Sequence, residues 1–343
     1  MSQKITFAIA AGSYCGGCDM AIVALNDLLI PLEEMIDLKY WQFAADFKEK
    51  DVEKLKDNEI DICLYDGPIR TSEHAHIAHL FRKKSKFLIA YGSCACFGGI
   101  PALANTFNTE TYLDETYTHG FNMDESGPNH PRPKSEYKKG RKMTLPKLLD
   151  SCLPLSSEVE VDAYIPGCPP VRSQFEKLID ILVDFQKNGN LPLKGTVIAG
   201  DKALCDECER ERPEEIVIDK FVRPHEIDPD PDKCLLSQGI ICMGPATRSG
   251  CGALCPNANL PCRGCFGPAP EVDDLGLKML SAIASIAGAK DEGALGEEGL
   301  KKLMSQVADP FGTFYRFAIP KILELQKKQA EKQNQNMGEK GKE

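Results

Sequence analysis

The sequence predicts an α/β fold, a doubly wound parallel sheet, followed by a mostly irregular cysteine-rich domain with helices. Three observations carry this. Residues 1–105 alternate short β-like runs with helical patterns, a sheet-like run resumes at Val159–Ile165, and eight cysteines then crowd between Cys205 and Cys265 among Gly and Pro, almost without periodicity. Ile5–Ala10 is the first apolar run, and the loop Gly12–Cys18 follows it. A helical stretch comes next, with Met20, Val23, Ala24 and Leu28 on one apolar face. Leu38–Phe43, Ile60–Tyr65 and Phe87–Tyr91 read as further strands, separated by helical segments at Val52–Leu55 and Glu73–Phe81. Residues 106–150 form a polar insertion. After Val159–Ile165 comes Gly167-Cys168-Pro169-Pro170, and a helix over Phe175–Phe185 closes a first domain spanning 1–195. A second domain, 196–325, carries amphipathic helices at Leu275–Ile286 and Ile319–Leu325, ahead of a polar, flexible tail at 326–343.

Composition narrows the function classes. A chain of 343 residues has room for about two domains and a sizeable core. Its net charge of −10 argues against a nucleic-acid partner, which would need a basic surface to neutralise phosphates. No apolar run reaches the ~18 residues of a membrane span. The opening residues read as a first strand rather than an export signal, which predicts a cytoplasmic protein. Fifteen cysteines in such a chain are an odd number and a poor disulfide framework, so the thiols are expected to be reduced and available to soft metals.

Spacing then selects the chemistry. Cys15 and Cys18 sit in the loop after the first strand, Cys94 in Gly92-Ser93-Cys94-Ala95-Cys96 after the fourth, and Cys168 in the loop after the last. In a parallel sheet those loops share one edge, and four thiolates there match the ligand need of a [4Fe-4S] cluster. Cys96 rivals Cys94 for the third position. Alternatives for the first loop are a thioredoxin-type dithiol, which leaves Cys94 and Cys168 without a role, and a flavin-phosphate site, for which the glycines do not fit G-x-G-x-x-G. Cys205-x2-Cys208, Cys234-x7-Cys242 and Cys251-x3-Cys255-x6-Cys262-x2-Cys265 supply eight more thiols, enough for two four-coordinate sites, either zinc or iron–sulfur, with the pairing open. So irregular a segment is expected to need an inorganic centre rather than an apolar core alone. Cys63 and Cys152 are left as buried packing residues.

The combination Cys15-Gly-Gly-Cys18, Gly92-Ser-Cys94 with Gly98-Gly99-Ile100-Pro101, Pro166-Gly-Cys168-Pro-Pro and the run Cys242-Met-Gly-Pro-Ala-Thr to Pro261-Cys262-Arg-Gly-Cys265 resembles the small subunit of [NiFe] hydrogenases, over about residues 4–270. In overall form it is similar to the gamma subunits of methyl-viologen-reducing, deazaflavin-independent hydrogenases of methanogenic archaea. The resemblance implies a flavodoxin-like first domain and three [4Fe-4S] clusters: proximal on Cys15, Cys18, Cys94 and Cys168, medial on Cys251, Cys255, Cys262 and Cys265, distal on Cys205, Cys208, Cys234 and Cys242. It also implies a large subunit that holds the nickel–iron site, a small [2Fe-2S] electron-transfer subunit, and the flavin subunit of heterodisulfide reductase. Electrons from dihydrogen would pass along the three clusters, with no catalytic residue in this chain. Two departures from the periplasmic enzymes stand out. Cys205 replaces a histidine ligand, and Cys255 replaces a proline beside a three-iron medial cluster, which favours a four-iron centre of lower potential. Asp19 follows the second proximal Cys directly, and no proton-transfer role is assigned to it. The small subunit of the deazaflavin-reducing hydrogenase and a stand-alone iron–sulfur carrier are the alternatives.

Two polar features are read as ordinary surface. His74, His76 and His79 lie on one helix at spacings better suited to a solvated or interface face than to a metal site, and Tyr137–Lys142 reads as a solvated basic loop.

Overall fold

In the computed structural model, residues 4–122, 135–138, 141–286 and 296–320 are described. Six strands form one parallel sheet: β1 (Ile5–Ala11), β2 (Ile36–Trp41), β3 (Ile60–Asp66), β4 (Ser85–Tyr91), β5 (Ala163–Ile165) and β6 (Thr196–Val197), in the order β6-β5-β4-β3-β1-β2. The strand order reverses direction between β1 and β3, which makes their carboxyl ends a topological switch point. Register places Ala11, Asp66, Tyr91 and Ile165 side by side, so the loops after β1, β3, β4 and β5 leave from one level of the sheet.

Both faces of the sheet are apolar because helices cover both. One face packs Ala8, Ala10, Cys63, Tyr65, Leu88 and Ala90 against helix α3 (Ser72–Lys84), which buries Ile77, Ala78 and Phe81. The other packs Ile9, Ile62, Leu64, Ile89 and Tyr91 against helices α1 (Gly17–Val23) and α4 (Arg172–Asn188). Helix α4 buries Phe175, Leu178 and Leu182, each contributing about 2 kcal/mol of hydrophobic stabilisation. Gly189 then ends it in the left-handed conformation, at φ +74°.

Three differences from the sequence reading have physical causes. An apolar helix face ordinarily turns inward. On α1 the buried side chains are Cys18, Asp19 and Ile22, while Met20 and Val23 face outward, 54% and 40% exposed. The polar insertion contains a helix at Thr109–Tyr117, a hairpin pairing Ser135–Lys138 with Arg141–Thr144, and a strand at Leu148–Leu153 that pairs antiparallel with Ile69–Thr71. The side chains of Tyr137–Lys142, and most of the expected helix Ile319–Leu325, lie outside the described residues.

The third difference concerns the cysteine-rich part. It does have an apolar core, in which Leu204, Leu236, Ile240 and Met243 from irregular segments meet Met279 and Ile283 of helix α5 (Leu275–Ile286) and Phe314. Those side chains are widely spaced in sequence, so no periodicity announces them. Arg210 braces the loops: its guanidinium donates to the carbonyls of Pro256, Asp230 and Lys233 at 2.8–3.0 Å and to Asn259 Oδ1 at 2.6 Å. Among the described residues no helix is long and apolar enough to cross a membrane.

Candidate metal centres

The first group of thiols forms where the sheet's carboxyl edge forces three loops together. Gly92 follows β4 at φ +82°, and a Cβ there would sit 2.5 Å from Cys18 Sγ and 3.2 Å from Asp66 Oδ1. Only glycine lets the Cys18 thiol pass this close to the chain that carries Cys94. Gly99 does the same for Cys94, since a Cβ would fall 2.5 Å from its Sγ. The Cys168 loop is held by Gln174 of α4, whose side-chain amide donates to the carbonyls of Pro166 and Ile198, each at 2.8 Å. Its oxygen accepts the Val171 N–H at 2.9 Å, so the buried amide is fully used. The Ser93 N–H donates to the Gly167 carbonyl at 2.8 Å and ties the loop of Cys94 to that of Cys168.

Electrostatics report the same convergence. Burial pushes the Cys18 thiol far above its ordinary value, helped by Asp66, Cys94 and Cys168. Burial does likewise for Cys94, with Asp66, Cys168 and Cys15 adding to it. Cys96, two residues on, turns away: its Sγ lies 3.3 Å from the Ala90 carbonyl inside the core. Cys63 and Cys152 are fully buried.

Cys205, Cys208, Cys234 and Cys242 line a single small cavity of about 60 Å³. Burial and the neighbouring Cys242 and Cys234 thiols push Cys205 up to about 12, against the pull of Arg212. Cys251, Cys255 and Cys265 form a third group: burial raises Cys265 to about 12, and Cys251, Cys168 and Cys255 reinforce the rise while the Cys168 N–H opposes it. Cys262 lies between groups. Burial raises its thiol, Cys242 and Cys265 add to the rise, and Thr247 and the Gly264 N–H moderate it.

Contacts run from each group to the next. The Ser93 hydroxyl donates to the Cys265 carbonyl, and the Cys168 N–H faces the Cys265 sulfur. The Cys262 N–H donates to Cys242 Sγ at 3.3 Å. Glu207, inside the Cys205–Cys208 loop, accepts the N–H groups of Gly250 and Cys251 at 2.8 and 3.1 Å. Sequence reasoning missed Asp66, Ser93, Glu207 and Arg210. Burial pushes Asp66 up to about 7, against the Cys18 thiol and the Gly67 N–H. Its one local signal is a carboxylate directly after the apolar run Ile62–Tyr65.

Asp19 is buried and accepts the Trp41 indole N–H at 2.6 Å. The three histidines of α3 go to three different partners. His74 caps the helix at Thr71, His76 contacts Glu49 at 2.9 Å, and His79 contacts Glu158 at 2.8 Å.

Known proteins resemble the chain over most of its length. The family model for the NADH ubiquinone oxidoreductase 20 kDa subunit matches residues 15–182. An iron-sulfur subunit of an F420-non-reducing hydrogenase from Archaeoglobus profundus is 39% identical, over 83% of this chain and 88% of that protein. The corresponding F420-non-reducing hydrogenase chain of Methanothermobacter marburgensis is 33% identical over 94% of this chain and 97% of its own length. Among solved structures, the [NiFeSe]-hydrogenase of Dm. baculatum shares the fold, with a TM-score of 0.50 at 16% identity, over 79% of this chain and 96% of that one. The parallel sheet, the thiol-bearing loops at its edge and the near full-length identity converge: the chain belongs to the hydrogenase small-subunit family, with the small subunits of F420-non-reducing hydrogenases, and is the subunit of an oxidoreductase that works beside a large subunit.

Proposed function

We propose that this chain is the electron-transfer subunit of a cytoplasmic [NiFe] hydrogenase, relaying electrons from dihydrogen oxidation in the large subunit to a partner of the heterodisulfide reductase system. The observation that carries this reading is the unbroken series of thiol groups. It runs from the sheet edge through Cys265 and Cys262 to the cavity lined by Cys205, Cys208, Cys234 and Cys242. In this reading Cys15, Cys18, Cys94 and Cys168 hold a proximal [4Fe-4S] cluster, Cys251, Cys255, Cys262 and Cys265 a medial one, and the cavity set a distal one. When bound, such clusters supply one-electron transfer at potentials set by charge, hydrogen bonds and burial.

The donor sets fit clusters better than single ions. A tetrahedral zinc with ~2.3 Å bonds brings its sulfurs to about 3.8 Å from one another. Among the described residues, no three of these sulfurs lie within 4.8 Å of each other. Burial raises the thiols for which a shift is resolved, so deprotonating them needs a compensating positive centre. Backbone N–H groups already face the sulfurs: those of Gly244 and Cys262 face Cys242, and those of Leu254 and Ala253 face Cys251. Such donors offset anionic sulfur.

The outward face of α1 supports a large-subunit partner. Met20 and Val23, with Tyr14 and Phe43, expose apolar surface beside the exposed Cys15. Contiguous apolar surface next to a functional edge marks an interface. The relatives are F420-non-reducing hydrogenases, which favours this reading over a deazaflavin-reducing complex; a flavin subunit that reduces the deazaflavin would indicate the latter. The experiment that tests the proposal counts iron and acid-labile sulfide in the anaerobically purified complex. About twelve of each per chain are expected from three four-iron clusters. Zinc with little sulfide would overturn the reading.

A further inference from the structure

A cavity of about 700 Å³ opens beside the medial and distal thiols and is lined by four cations, Lys220, Arg223, Arg263 and Arg316. His225 also lines it, and each of the two carboxylates in its wall holds a main-chain N–H. Glu226 accepts the Arg223 N–H at 2.8 Å, and Asp309 accepts the Gly312 N–H at 2.8 Å. Among the described residues none of the four cations has an ion-pair partner. Arg263 is half-buried, and Arg316 lines the same cavity. Two guanidinium groups lining one concave site repel each other, a cost that a bound anion offsets. Phe221, Ile240 and Val307 give the same cavity an apolar wall. Its size is that of a small-molecule site.

We propose that this cavity binds a phosphate-bearing small molecule, seated between Arg263 and Arg316. Planar guanidinium forks grip phosphate oxygens in pairs, and the apolar wall takes the remainder of the molecule. The location gives the site a consequence. Arg263 faces the thiols of Cys242, Cys262 and Cys255, so its positive charge favours electrons at both neighbouring centres. An anion bound to it cancels part of that charge and makes both centres harder to reduce. This consequence rests on the function proposed above; the binding does not.

The test is anaerobic calorimetry on the intact purified complex at low ionic strength, with pyrophosphate as the probe. Saturable binding is expected, weakened about tenfold or more by Arg316→Gln and by a smaller factor in Arg223→Gln. Arg223 is exposed, so the second variant keeps the result independent of any folding defect in the first. No saturable heat, or equal affinity in wild type and both variants, overturns the proposal. Tighter binding of a glutamate-rich peptide than of pyrophosphate also overturns it, since the cavity would then be a protein dock. EPR-monitored redox titration with and without pyrophosphate reads the coupling separately. Binding without a downward shift in midpoint potential refutes the coupling to electron flow, and a complex lacking iron fails the function reading while leaving the calorimetry interpretable.

Discussion

Replacing Glu207 by Gln isolates one charge at one site. The carboxylate accepts three main-chain N–H groups, from Gly250, Cys251 and, at 3.4 Å, Ala253, and one of its oxygens lies 3.7 Å from Cys251 Sγ. Gln has nearly the same shape and can still accept with its single oxygen, so the loop keeps part of its anchor. What disappears is a negative charge beside an anionic sulfur. At 3.7 Å two unit charges repel by about 1 kcal/mol in water and about 4 kcal/mol at an effective dielectric of 20. For a one-electron couple the lower figure corresponds to a midpoint potential raised by about 40 mV. Delocalisation over a cluster reduces the upper figure more than the lower, because a half-buried site is already partly screened. The assay is an EPR-monitored redox titration of the anaerobic complex, comparing wild type with Glu207→Gln. The medial signal should move upward by about 40 mV or more, with the proximal signal nearly unmoved. A medial potential that stays put or falls, at unchanged iron content, would refute the assignment of Cys251 to the proposed medial site.

Three further outcomes follow from separate parts of the molecule. Burial holds the His74 imidazole below its ordinary 6.5 against the pull of Glu73, and its neutral Nδ1 accepts the N–H groups of Arg70 and Thr71 at 3.3 Å. A depressed histidine contributes stability above the unfolded pKa and loses it as pH falls through the folded one, so the unfolding temperature should decline below pH ~6.5, and His74→Asn should flatten that decline; an identical pH profile in the variant would exclude the cap. Met20→Glu, on the exposed face of α1, should leave the chain folded by circular dichroism yet release the large subunit on gel filtration; a complex that elutes intact would place the interface elsewhere. Arg210→Met strips the braces from four acceptors and should cost about 3 kcal/mol or more, read as a lower anaerobic unfolding midpoint, whereas Arg210→Lys should restore little because a lysine cannot fork; an unchanged midpoint would remove the brace from the account.

Local patterns in the sequence carried the sheet well and the lobe poorly, for a physical reason. Runs such as Ile62–Tyr65 are apolar on both faces because helices cover both, and that signal is contained within four residues. The meeting of Cys15, Cys18, Cys94 and Cys168 loops was legible for the same reason, since parallel strands deliver their following loops to one edge. Contacts between distant segments leave no such trace. Ser93 meets the Cys265 carbonyl across 172 positions, and Glu207 reaches Gly250 across 43. Direction was equally hidden on α1: spacing shows that Met20 and Val23 share a face, but only the packing of Ile22 and Leu25 on the sheet shows that this face looks outward. Cys94 and Cys96 differ by two residues, and the short helix Gly92–Phe97 sends one towards Cys15 and Cys168 and the other into the core.

The hydrogen bonds between thiol groups bear on how the sites assemble. The main chain of Cys168 serves the sulfur of Cys265, and the main chain of Cys262 serves the sulfur of Cys242. A residue proposed as a ligand in one site is thus a hydrogen-bond donor to the next. Displacing the loop of Cys168 removes a donor from Cys265 and strains the Ser93 link to the Cys265 carbonyl. The same holds one step further along at Cys262. Occupying one site therefore favours the geometry its neighbour needs, and losing one loosens the next, since each site presents a donor the other would otherwise leave unsatisfied. Centres linked in this way should fill and empty together rather than independently, which suits the relay proposed above.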